Sequence, residues 1–90
     1  MDIQDFYKLL KPIIIEYKAN YVDYNLLPHD RLKFHIRIKD YNIYIVVDYI
    51  DMTSIMLIFP PKINKPITQN GDYLTTVNKL KIYLSTCKFV

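Results

Sequence analysis

Glycine and cysteine are almost missing from this chain: Gly71 and Cys87 are single occurrences in ninety residues. A glycine-rich phosphate cradle needs several residues without Cβ, so Rossmann- and Walker-type nucleotide binding are excluded. One cysteine permits no intramolecular disulfide, which fits a reducing compartment. His29, His35 and Cys87 are the only strong soft-metal ligands, and they lack any local spacing that would hold zinc. Neither a metal nor a cofactor is expected. Long apolar runs are lacking too. Ile43 to Val47 and Ile55 to Phe59 are the longest, far short of the ~20 residues that span a bilayer. No basic segment followed by an apolar run is present near the start. The expectation is a cytoplasmic protein without a membrane partner, in the host cytoplasm if the chain is viral.

Charge of one sign is also scarce. Twelve Lys and Arg against nine Asp and Glu leave a net +3, little for a protein that coats DNA. The acids are scattered and do not form the dense carboxylate field of a DNA mimic. Ninety residues make a single domain, 1–90, able to fold alone but too small for a deep cavity as well as a scaffold. No enzyme is expected.

What the chain does have is the stretch Arg31-Leu32-Lys33-Phe34-His35-Ile36-Arg37-Ile38-Lys39, which alternates basic and apolar residues throughout. Successive side chains of a strand point to opposite faces, so Leu32, Phe34, Ile36 and Ile38 face a core and the basic residues form a solvated row. Asp40-Tyr41-Asn42 then reads as a tight turn into a second strand, Ile43 to Ile50. A two-residue loop at Tyr41 and Asn42 would pair Ile38 with Ile45, Ile36 with Val47 and Phe34 with Tyr49, and would set His35 opposite Asp48. Such a His–Asp pair reads as a structural ion pair, with no nucleophile beside it.

A third strand, Ser54 to Phe59, is apolar on both faces and so calls for cover on both. Its outer face is a candidate interface, including one for a homodimer. Ile3, Phe6, Leu10, Ile13 and Tyr17 recur at helical spacing after Asp2 as N-cap, with Pro12 expected to bend the helix. Leu74, Val77, Leu80, Leu84 and Cys87 make a second helical stripe after Asp72 as N-cap. From Ala19 to Asp30 the turn formers Asn20, Asn25 and Pro28 indicate a packed connection, and Pro60 to Gly71 reads as a long loop. The expected fold is α+β: helix, three-stranded antiparallel meander, helix, with both helices on one face of the sheet.

That order of elements resembles double-stranded-RNA-binding domains. In that family a lysine-rich turn opening the last helix contacts phosphates. Here the corresponding stretch is Asp72-Tyr73-Leu74-Thr75-Thr76, with Lys79 and Lys81 arriving later. The resemblance therefore extends to topology and carries no function with it.

Tyr17, Tyr49 and Tyr73 are expected to cover the core, while Tyr21, Tyr24, Tyr41 and Tyr44 are placed for contact. The functional expectation is a small non-enzymatic protein-interaction module that binds and blocks a larger host protein or complex. Its contact residues would be Arg37, Lys39, Tyr44, Val46 and Ile50, an apolar centre beside a basic row. The alternative is RNA or single-stranded DNA binding through Arg31, Lys33, Arg37 and Lys39, with Lys62 and Lys65 from the loop. Ile, Tyr, Asn, Lys and Phe make up roughly half of the chain, a bias of AT-rich coding sequence that fits a viral or phage accessory or inhibitor protein.

Overall fold

The computed structural model describes residues 3–86; the N-cap expected at Asp2 and the thiol of Cys87 lie outside the described residues. Helix α1 (Ile3–Glu16) leads into β1 (Tyr21–Leu27), β2 (Arg31–Ile38), β3 (Tyr41–Asp48), β4 (Thr53–Phe59) and β5 (Ile67–Asp72), and α2 (Tyr73–Thr86) follows. The strands form one antiparallel sheet in the order β1-β2-β3-β4-β5. The α+β class stands, but the three-stranded sheet does not: the sheet has five strands. With the extra strands the likeness to double-stranded-RNA-binding domains falls away.

The two additional strands occupy the segments read as connection and loop. In β1, Val22, Tyr24 and Leu26 do alternate with Asp23 and Asn25, and each residue from Tyr21 to Leu27 has a partner on β2. Its backbone pairing outweighs the turn preference of the asparagines. In β5, Ile67-Thr68-Gln69-Asn70-Gly71-Asp72 has no apolar alternation, and ladder pairing with β4 holds it. A short polar strand is a common way to end a sheet without inviting aggregation. Gly71 therefore lies inside a strand opposite Ser54, where an added Cβ would meet the Thr75 side chain at 3.4 Å.

The β2–β3 register also differs from expectation. Ile38 pairs with Tyr41, Ile36 with Ile43, Phe34 with Ile45 and Leu32 with Val47, so the turn is Lys39-Asp40. The slip is an even number of residues, which returns every side chain to the face it would have had. Burial of the alternating residues fixes which face each strand presents, and turn geometry then fixes where the hairpin closes. His35 consequently lies opposite Tyr44, and Asp48 lies opposite Arg31. The Asp48 carboxylate instead accepts the Ile50 and Asp51 N–H groups, each at 3.0 Å, and closes the β3–β4 turn.

Both helices cover one face. Phe6, Leu10 and Ile13 of α1 and Tyr73, Val77, Leu80 and Leu84 of α2 join the inward residues of β2, β3 and β4 in one core. The Phe6 ring lies 5.5 Å from Phe34 and 5.0 Å from Tyr73, tying α1 to the sheet and to α2. Helix α1 runs unbroken through Pro12, whose ring is on its exposed side, and its apolar stripe stays in phase. Asp72 caps α2 as expected: its Oδ1 accepts the Thr75 N–H at 2.7 Å, and that bond lowers the carboxyl pKa. Of the tyrosines expected in the core, Tyr73 is buried within it, and Tyr17 and Tyr49 are half-buried and pack against the core cluster, as does Tyr41.

Candidate functional site: the open face of the sheet

Among the described residues, no helix covers the second face. Alternation along the strands sends Arg31, Lys33, His35 and Arg37 of β2 to it, since Leu32, Phe34, Ile36 and Ile38 between them are buried. The same reasoning places Asn42, Tyr44, Val46 and Asp48 of β3, and Thr53, Ile55, Leu57 and Phe59 of β4, on the open side. Tyr44, Val46, Ile55 and Leu57 sit at paired positions in the middle of this face. They form an apolar centre bordered on one side by the cations of β2.

An aromatic row crosses the face. Tyr21 of β1 lies 5.0 Å from the His35 ring, His35 stacks on Tyr44 at 4.4 Å and 14°, and Tyr44 meets Phe59 edge to face at 5.7 Å and 86°. The Lys33 ammonium stands over the Tyr44 ring, 5.6 Å from its centroid. His35 Nε2 is 2.9 Å from Asn42 Oδ1. The imidazole is thus held by two rings and an amide, and Asp48 belongs to the β3–β4 turn. His35 and Asp48 form no acid–base pair.

Of the five expected contact residues, Arg37, Tyr44 and Val46 share this face. Lys39 sits in the β2–β3 turn with φ 55 and lines a hollow with Glu16, Tyr17, Lys18 and Asn20 near the end of α1. Ile50 is 68% exposed but lies in the β3–β4 turn, at the opposite end of the strands. Ile55, Leu57 and Phe59 lie on this face as well, in the strand whose outer side the sequence marks as a candidate interface. Tyr21, expected as a contact residue in a connection, is on this face as part of strand β1, against His35.

The residues expected for nucleic acid divide as well. Arg37, Lys39, Lys62 and Lys65 gather at one end of the sheet with Lys18, around the β2–β3 turn and the β4–β5 connection. Lys33 is central, and Arg31 is at the far end, among Asp30, Asp48, Asp51 and Asp72. Charge therefore separates along the strand axis, and Arg31 to Lys65 do not form one continuous basic track.

Among the described residues, no group of three His, Cys, Asp or Glu side chains could hold a metal ion, and no helix is long and apolar enough to cross a membrane. No protein-family model matches the chain, and no curated protein or solved structure matches it either.

Proposed function

We propose that this chain is a non-enzymatic protein-interaction module that engages a larger protein through the open face of its sheet. The observation that carries this reading is the apolar centre of Tyr44, Val46, Ile55 and Leu57 on an uncovered face, flanked by Lys33 and Arg37. An apolar middle with a charged border is how a protein contact surface is organised, the centre supplying desolvation and the border selectivity. The matching surface on the partner is apolar with carboxylates to one side. Blocking a host protein is one use of such a surface and accords with the compositional bias.

Protein contact is favoured over single-stranded nucleic acid by the aromatic row itself. Base stacking needs an open ring face, whereas His35 covers Tyr44 and Lys33 and Phe59 stand against it.

The test is affinity capture from the native host, followed by titration of the purified partner against variants. Lys33→Glu with Arg37→Glu, and separately Ile55→Asp, should each weaken binding by tenfold or more, on the order expected for a border charge reversal and a buried contact. Lys39→Glu should leave it unchanged. Equal affinity for all variants would overturn the reading. So would tight, steeply salt-dependent binding of a labelled single strand, the signature of counterion release.

A further inference from the structure

A second surface lies on the helix side of the sheet, where the helical layer is too narrow. Helices are ~10 Å wide and strands ~4.8 Å apart, so each helix covers about two strands and two helices leave one strand of a five-stranded sheet over. Helix α1 is placed over β2 by the Phe6 and Tyr7 rings against Phe34, and α2 packs on β4 and β5. Among the described residues, no helix is set over strand β1. Its Val22, Tyr24 and Leu26 pair with the buried Ile36, Phe34 and Leu32, so they extend the apolar floor of the core by one strand. They are nevertheless 37%, 60% and 70% exposed.

Between this strand and the flank of α1 runs a groove of about 410 Å³, lined by Gln4, Tyr7, Lys8, Lys11, Tyr24 and Phe34. Phe34 lies buried beneath it, with the Tyr7 ring at 6.5 Å and the Tyr24 ring at 6.3 Å, and these two exposed tyrosines present its aromatic surface. Lys8 and Lys11, a helical turn apart and both exposed, are the charged residues among the described residues that line it. The groove is thus walled by aromatic rings and cationic along one rim, with no carboxylate among the described residues that line it.

Its neighbouring edge is partly engaged at Tyr24, which disfavours an added strand there. Asp23 Oδ1 accepts the Tyr24 N–H at 2.8 Å, and the Tyr21 hydroxyl donates to Asp23 Oδ2 at 3.2 Å. A carboxylate bound to an edge N–H competes with the backbone bonding that strand addition requires. A helix lying over β1 needs no such bonds.

We infer that the α1–β1 groove is a docking site for an amphipathic helix of a partner protein, one whose apolar stripe is accompanied by carboxylates that face Lys8 and Lys11. This helix completes the helical layer, its apolar side chains on the exposed Tyr7, Tyr24 and Leu26. The site is separate from the open face and does not depend on the role proposed for it.

The test presents the whole protein to a display library of short helices whose apolar stripe is fixed and whose flanking positions vary over Glu, Lys and Gln. Enriched clones should carry Glu on the flank, and Lys8→Glu with Lys11→Glu should turn that preference to Lys. Tyr24→Ala should weaken the best acidic clone about tenfold, on the scale of an aromatic contact residue, while Lys33→Glu with Arg37→Glu on the open face should not affect it. No enrichment, enrichment without a Glu preference, or a preference that survives reversal of the two lysines would each overturn the inference. A concentration-dependent dimer whose amide shifts map to Tyr7, Lys11 and Tyr24 would overturn it too, because the occupant would then be a second copy of the chain.

Discussion

The Tyr73 hydroxyl donates a hydrogen bond of 2.6 Å to the main-chain carbonyl of Asp48, joining the first turn of α2 to the end of β3. Burial pushes the pKa of this phenol up to about 12, and the nearby Asp48 charge adds to the effect. An unfolded tyrosine titrates near 10. Folding therefore favours the neutral phenol: its contribution is fully present below pH 10 and is lost as pH rises through about 12. The loss amounts to about 2 kcal/mol. Denaturant unfolding measured between pH 9 and 12 should show this decline. Tyr73→Phe should be less stable at neutral pH by about 1 kcal/mol and decline less over the alkaline range. Parallel profiles for the two proteins would show that another group controls alkaline stability.

The His35–Tyr44 stack makes a prediction separable from any partner. Such cross-strand ring contacts contribute about 0.5–1.5 kcal/mol beyond the area they bury. His35→Ala, Tyr44→Ala and the double variant, compared by urea unfolding, should show coupling of that size. If the two single losses simply add, the rings are adjacent without supporting one another.

Scarcity of glycine leaves a mark on the turns. Lys18, His29, Asp30, Lys39, Met52 and Lys62 all adopt positive φ, a conformation that costs a side chain with Cβ about 1–2 kcal/mol. Lys39 is the simplest to test, being exposed in the β2–β3 turn with φ 55. Lys39→Gly should raise stability by about 0.5–1 kcal/mol, because relief of the turn is offset in part by the greater freedom of glycine in the unfolded chain. It should leave partner affinity unchanged. A fall in melting temperature would mean that the lysine side chain contributes packing that outweighs the backbone effect.

These turns also show where the sequence stopped being informative. The alternation from Arg31 to Lys39 and the stripes of α1 and α2 were legible because burial on one side imposes a period. Which face Tyr44 and Val46 occupy was legible for the same reason. The residue opposite His35 was not, since a slip of an even number of residues leaves that period untouched and only the Lys39-Asp40 turn separates the choices. Strand β5 carries no period because both of its faces are largely wet, and its ladder with β4 depends on backbone groups common to all residues. In β1 a period existed, from Val22 to Leu26, but its apolar side has no helix above it. The groove beside α1 was for that reason invisible until the two helices could be set against five strands.

Ser54 and Thr76 provide the strictest test of the core. The Ser54 hydroxyl donates to Thr76 Oγ1 at 2.7 Å, and the two residues are 2% and 0% exposed. They are the buried polar pair of an otherwise apolar cluster, linking β4 to α2. Removing one partner should cost more than removing both, because a lone buried hydroxyl has lost its water and gained nothing in return. Ser54→Ala is therefore expected to lower stability by about 1–3 kcal/mol. Thr76→Val, which keeps the shape of the side chain, should cost a similar amount, and the double variant less than the sum of the two. Thr76 lies in the first turn of α2, four residues after Asp72, and a helical threonine hydroxyl can turn to the carbonyl four residues before it. Ser54→Ala without measurable loss would show that the Thr76 hydroxyl turns to that carbonyl, and that the link between β4 and α2 is apolar packing alone.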